Sequence, residues 1–392
     1  MQRREFLAAA TGLPLLAGAA QPEVRPLRFA PYANPKLGPR PDFWKVRPDE
    51  IAERCRTVTR GRSEVIARTP LGHPVYAVFY GDFSEPPPQT NWSAGASSTT
   101  WRNFVGDRKD GKQTFLFVAG VHGAEAETVA GAMNVIQLLE TGRDYRGKAD
   151  PVLTDLVSKY RFIVVPCGNM DGRAISPDHL RGLDFHDFRV ASQGAWKDGS
   201  LVGWRGSKAW FPLPLDRVSY PGGYPNADGY NIMHDAAPGD IRTAEARALL
   251  KLAARWRVDA VLNGHSYEYA PSILPPSSLD LPAKAERGLD IRLRVNRAIH
   301  AAGLTAREPT RGAARPSHNL NTMFALSSGA LALTLESSVS FDRPHKPPKV
   351  QPARTYSFEE LMEPTFIALR EFLADGLERP FLDRGDDHVK PD

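Results

Sequence analysis

Cysteine is almost absent: Cys55 and Cys167 are the only two in 392 residues. A disulfide scaffold is thereby excluded, and a chain of this length can bury a core without one. One bridge between the two, or two separately buried thiols, are both open readings. Charge of a single sign is not concentrated anywhere. Fifty Lys and Arg against 45 Asp and Glu leave a net charge of +5, interspersed along the chain. There is no basic tail or block, which speaks against a nucleic-acid partner or a membrane-binding patch. A long apolar run is also missing. The stretch from Phe6 to Leu16 is interrupted by Gly12 and Pro14 and is too short to span a bilayer, so no stable membrane anchor is expected.

That short apolar stretch has a specific setting. Arg3-Arg4 precedes it, and the small residues Ala17-Gly18-Ala19-Ala20 follow it. Paired arginines, an apolar segment and a small-residue cleavage site form the pattern of a twin-arginine secretion signal over residues 1–20. The pattern predicts contact with the twin-arginine export machinery, a mature N-terminus near Gln21, and a periplasmic or secreted protein. No cysteine lies near Ala20 to take a lipid. Residues 21–47 are Pro-rich and aperiodic, which predicts an extended N-terminal arm. No internal repeat or composition break divides residues 48–392, which predict one domain.

Within that domain the hydrophobic period is that of an α/β protein. Val65–Ala67 and Val75–Tyr80 flank Thr69-Pro70-Leu71-Gly72-His73-Pro74, a hairpin signal. Residues 85–113 predict a long surface insertion. Thr114 to Val121, Phe162 to Val165, Val258 to Leu262 and Leu331 to Leu335 predict buried strands. Asp49 to Arg60, Glu125 to Glu140, Thr243 to Trp256, Arg292 to Ala302 and Phe358 to Leu373 predict helices. Residues 167–240, rich in Gly, Pro and aromatics, predict a loop-dominated region over one face. Strands alternating with helices predict a largely parallel central sheet covered on both sides.

Three predicted strands end in residues suited to metal or proton chemistry. His122 follows the first, with Glu125 three residues on at the start of a helix. His265 follows another, in Gly264-His265-Ser266-Tyr267, and Glu336 follows Leu333-Thr334-Leu335. Each alone is weak, since His265-Ser266-Tyr267-Glu268 repeats the His-x-x-Glu spacing by chance. Their convergence at one sheet edge is the informative feature, because ligands of open α/β sheets bind at the carboxyl ends of strands. All three strands deliver metal-type or base-type residues to that edge.

The order of these segments resembles the zinc carboxypeptidase family, whose His-x-x-Glu is followed much later by a His and then by a catalytic Glu. Pro166-Cys167-Gly168-Asn169-Met170-Asp171-Gly172 is similar to that family's Asn-Pro-Asp-Gly turn. Gly229-Tyr230-Asn231-Ile232-Met233-His234-Asp235 and Thr243-Ala244-Glu245-Ala246-Arg247 occupy the places of two further family segments. Over residues 60–375 the resemblance implies a mixed sheet of about eight strands and one zinc per chain, held by His122, Glu125 and His265. It implies Glu336 as the catalytic carboxylate and Arg205 as the oxyanion stabiliser, with Arg173 in reserve. Arg173, Asn231 and His234 are the implied substrate-binding residues, and a peptide, acylated amino acid or cell-wall peptide is the implied substrate. The chain departs from the family where Met233-His234 replaces the Asn and Arg that take a terminal carboxylate. No Tyr lies between Pro271 and Thr355, where the family carries one, and His318 and Asn319 stand in that stretch. Weak preference for a free C-terminus is the expectation.

Other readings compete. Gly264-His265-Ser266-Tyr267-Glu268 is close to the Gly-x-Ser-x-Gly elbow of serine hydrolases, with Ser266 as nucleophile, although its second glycine is missing. A zinc amidase or deacylase is the alternative within the metal class. A non-catalytic, zinc-containing envelope-binding protein is the third, weakened by the presence of Glu336.

Overall fold

The computed structural model describes residues 23–84, 111–268, 270–274, 282–307, 318–339 and 355–381. The expected secretion signal and most of the expected insertion lie outside them. A seven-stranded sheet runs through the middle in the order β1 (Arg62–Arg68), β2 (Pro74–Tyr80), β4 (Arg161–Val165), β3 (Thr114–Ala119), β7 (Ala260–Glu268), β9 (Leu331–Ser338) and β8 (Ser272–Ile273). The four inner strands, β4, β3, β7 and β9, are mutually parallel, and the outer pairings are antiparallel. The expected mixed sheet is present, with seven strands where about eight were expected. A separate ribbon pairs β5 (Ala195–Trp196) with β6 (Val218–Tyr220).

The inner strands are parallel because of what they are made of. Thr114-Phe115-Leu116-Phe117-Val118-Ala119 is buried at every position, as are the five residues of β4. A strand apolar on both faces needs a helical layer on each side. Those layers include α1 (Pro48–Arg56), α2 (Ala126–Thr141), α3 (Pro151–Ser158), α7 (Ala244–Trp256), α8 (Pro282–Ala301), α9 (Leu320–Ser328) and α10 (Phe358–Glu378). Helix α2 is buried nearly all round and packs on α10 so closely that a Cβ at Gly131 would meet Thr365 at 2.7 Å. Thr243 caps α7 by accepting from Ala246 N–H, and Ser357 and Glu360 form a capping box on α10. No described helix is long and apolar enough to cross a membrane. Cys55 and Cys167 are separately buried free thiols, each pushed up to about 12 by burial.

Two expectations change. Residues 167–240 are not merely loops: they hold α4 (Met170–Ile175), α5 (Phe185–Gln193), α6 (Gly203–Ala209) and the β5–β6 ribbon. These elements are too short for hydrophobic period to reveal them. The strand expected to stop at Leu262 continues to Glu268, and the one expected to stop at Leu335 continues to Ser338. Polar side chains are tolerated there because the extra residues pair with each other across β7 and β9.

Candidate active site

His122 stands in the turn after β3. Gly120 reverses the chain there with φ of 60°, a conformation costly for other residues. Gly123 is pressed against α4: a Cβ on it would lie 2.1 Å from the Arg173 nitrogen. The Gly123 N–H donates to the Gly223 carbonyl at 2.7 Å, and Arg173 donates to the Gly123 carbonyl at 2.6 Å. Glu125 is the N-cap residue of α2, so its carboxylate lies at the positive end of a 16-residue helix. His265 comes from the interior of β7.

These three side chains converge, all buried, with their candidate donor atoms within 4.8 Å of one another. His122 Nδ1 is 2.9 Å from Glu125 Oε1, His265 Nδ1 is 2.8 Å from Glu125 Oε2, and the two Nδ1 atoms are 3.2 Å apart. Ser266 N–H donates to Glu125 Oε2 at 3.2 Å. Burial works against charge on Glu125, but the imidazoles of His122 and His265 and their hydrogen bonds outweigh it and hold the carboxyl well below its usual range. Burial lowers the pKa of His265, keeping its imidazole in the neutral form a metal requires.

The donor set can be tested for a metal through its tautomers. Asn231 Oδ1 accepts from the Met233 N–H at 3.1 Å, which fixes the amide's orientation. His122 Nε2, 3.1 Å from the same oxygen, must therefore donate to it. His122 Nδ1 then faces a carboxylate oxygen, and the close pair calls for a positive charge between them, either a proton on Nδ1 or a metal ion in its place. A zinc ion bound by Nδ1 of each histidine and by Glu125 fits this requirement, with Asn231 orienting His122 from behind.

Glu336 is the register partner of His265 across the parallel β7–β9 pair. Cross-strand partners share a face of the sheet, so the half-buried carboxylate rises beside the metal donors. Tyr224 stacks on His122, ring centroids 3.9 Å apart and planes 5° apart. Sequence reasoning missed it, because a tyrosine in an aperiodic stretch carries no signal of the ring it covers.

The other expected residues sit differently. Asn231, expected to bind substrate, is 3% exposed and engaged with His122 and Met233, so it supports a metal ligand instead. Arg173 is 2% exposed and its guanidinium donates to the carbonyls of Gly123 and Pro177, which makes it a brace for the His122 turn. Arg205 is exposed on α6. His234 is half-buried at the end of a 3₁₀ turn, Ile232–His234. Burial first, then the charges of Lys208, His122 and His265, push its pKa down to about 3. His318 donates to or accepts at no metal donor; its Nε2 contacts the Ala236 carbonyl at 2.7 Å. Ser266 is 1% exposed inside β7, which runs on as a strand, so the strand–turn–helix of a nucleophile elbow is not formed. A concavity of about 860 Å³ between the N-terminal arm and α4 includes none of the metal donors.

Comparison with known proteins points the same way. A family model for zinc carboxypeptidase matches residues 50–280. No curated protein sequence matches the chain. Among solved structures, the metallo-carboxypeptidase of Burkholderia cenocepacia is 16% identical, with a TM-score of 0.51 over 83% of this chain and 68% of that one. The metallo-carboxypeptidase of Pseudomonas aeruginosa, solved with (2-guanidinoethylmercapto)succinic acid, is 15% identical, with a TM-score of 0.50 over 86% of this chain and 68% of that one. At such identities the likeness establishes the fold, and the family model, spanning more than half of the chain, establishes the family. The donors that converge at the sheet edge are those of a zinc-dependent peptide hydrolase, and the chain belongs to the zinc carboxypeptidase family.

Proposed function

We propose that the protein is an exported hydrolase that cleaves a peptide or other amide bond, with Glu336 as its general base. The observation that carries this reading is the pairing of Glu336 with His265 across β7 and β9, which sets a carboxylate beside the His122–Glu125–His265 donors. Zinc, when bound there, polarises the scissile carbonyl and makes water a better nucleophile. Glu336 takes the proton of the attacking water and returns it to the leaving nitrogen. Glu125, His122 and His265 would hold the metal, and Asn231 orients the His122 ring from behind. Arg205, exposed on α6, is assigned to the oxyanion of the tetrahedral species.

The substrate in this reading is a peptide, an acylated amino acid or a cell-wall peptide, met outside the cytoplasm after twin-arginine export. An amidase or deacylase activity is favoured over strict C-terminal trimming by one feature: position 234 carries an imidazole held neutral, which cannot clamp a carboxylate as a guanidinium fork does.

The test is turnover of peptide and murein fragments by the zinc-loaded mature protein and by Glu336→Gln. The expected variant keeps its zinc and its melting temperature and loses turnover by at least about 10²–10⁴-fold. A zinc-replete, stable Gln variant with near-normal turnover removes Glu336 from the mechanism. Absence of any amide hydrolysis by the wild type leaves the binding-only reading in its place.

A further inference from the structure

The ring of Tyr224 lies flat on the His122 imidazole, with centroids 3.9 Å apart and planes 5° apart, and both residues are buried. Backbone contacts put the tyrosine there. The N–H groups of Gly223 and Tyr224 donate to the carbonyls of Ala191 and Ser192 near the end of α5, both at 3.1 Å. Asn169, the N-cap residue of α4, donates to the Tyr224 carbonyl at 3.1 Å. One residue earlier, the Gly223 carbonyl accepts from the Gly123 N–H at 2.7 Å, and a Cβ on Gly223 would come within 2.6 Å of the Ala124 nitrogen. The segment that carries Tyr224 is thus docked on the turn that carries His122 by contacts that need no metal. The His122 ring is then set by two groups, the Tyr224 face and Asn231 Oδ1, which lies 3.1 Å from Nε2. The last torsion of a histidine is broad and weakly resisted. The stack decides the plane of the ring, and Asn231 decides which edge turns inward.

We propose that Tyr224 is a positioning residue for the metal ligand His122: it holds the imidazole plane so that Nδ1 is directed at Glu125 and His265, and its π face favours the metal-bound state of the site. The second effect is electrostatic. With zinc at Nδ1, the imidazole ring carries part of the positive charge. An aromatic face is the negative part of the ring quadrupole, so the stack is stronger once that charge is present. The difference between the two states is a gain in zinc affinity. The proposal rests on the zinc ligands alone, and not on Glu336 or on any substrate, so metal binding tests it rather than turnover.

The experiment measures zinc affinity of the mature wild type, Tyr224→Phe and Tyr224→Leu by competition with a fluorescent chelator, alongside the melting temperatures of the metal-free proteins. Tyr224→Leu should bind zinc about three- to thirtyfold more weakly, the scale of a desolvated cation–π contact. Tyr224→Phe keeps the aromatic face and should stay within about twofold of the wild type. Titrating zinc into the metal-free wild type should also perturb the tyrosine ultraviolet band until the site is full, and this difference spectrum should vanish in Tyr224→Phe. A tyrosine that only fills space would lower the melting temperature of Tyr224→Leu and leave the zinc affinity of the folded protein unchanged. That result overturns the proposal, as does a difference spectrum that is missing from the wild type or persists in Tyr224→Phe. If Tyr224→Leu does not fold, the affinity of Tyr224→Phe and the difference spectrum decide by the same criteria. A wild type that binds no zinc overturns the proposal together with its ligand set, whereas a zinc-binding protein without amide hydrolysis leaves it standing and removes only the hydrolase reading.

Discussion

A single residue can carry much of the pH behaviour of this protein. Glu245, in the first turn of α7, is fully buried. One of its oxygens accepts from Asn226 at 3.1 Å, and the other has no hydrogen-bond partner among the described residues. Burial, aided by nearby Asp171 and Asp228, raises its pKa to about 7. A carboxyl that holds its proton more tightly folded than unfolded destabilises the fold as pH rises, because the folded state must then ionise it in place. The loss begins near the unfolded pKa of about 4.3 and is complete above about 7. Wild-type stability should therefore fall with pH across that window by on the order of 3–4 kcal/mol from this group alone. Glu245→Gln should match the wild type near pH 4 and exceed it near pH 8 in denaturant unfolding. A variant less stable than wild type at pH 8 would show that the ionised carboxylate is tolerated.

At the scale of elements, the metal donors depend on how three backbone segments meet. The His122 turn is pressed onto α4, braced by Arg173 and joined to the strand of chain that carries Tyr224. Gly123 is required because the Arg173 nitrogen and the Gly172 carbonyl carbon occupy the place of any Cβ. These are backbone atoms, which cannot rotate aside. Gly123→Ala should therefore displace the turn, costing about 1–3 kcal/mol or more as overpacking does, and moving His122 off Glu125. The expected outcome is a lowered melting temperature together with reduced zinc content at equal protein concentration. Full zinc binding with unchanged stability would mean that α4 yields easily. Much of this level was hidden in the sequence. Elements of two to nine residues between positions 167 and 240 are too brief for a 3.6- or 2-residue period to emerge, so α4, α5, α6 and the small ribbon were expected only as loop. Helix α2 and strands β3 and β4, buried along most or all of their length and largely apolar, were legible because burial on both sides favours a sustained apolar composition.

For the whole molecule, the sheet order places β3, β7 and β9 side by side, so that His122, His265 and Glu336 meet although they are far apart in sequence. The same molecule is proposed to leave the cytoplasm through its N-terminal pattern. Replacing Arg3 and Arg4 together by Lys should retain the precursor inside the cell, while the unaltered chain yields a mature protein starting near Gln21. Fractionation with N-terminal sequencing of the exported form checks this, and undiminished export of the double variant would remove the twin-arginine assignment.

The sequence by itself determined the α/β class, the parallel centre of the sheet and the donors His122, Glu125 and His265. Strand-length apolar runs and strand-end polar residues are local patterns, and their order along the chain was enough to indicate the family. It did not determine what surrounds those donors. Asn231 and Arg173 were expected to touch substrate, and tertiary packing instead buries one behind His122 and the other beneath its turn. The stacking of Tyr224 on His122 was likewise decided only in three dimensions. A residue's type states what it can donate, accept or carry. Which partner uses that capacity depends on segments brought together by the sheet, and no spacing along the chain records them.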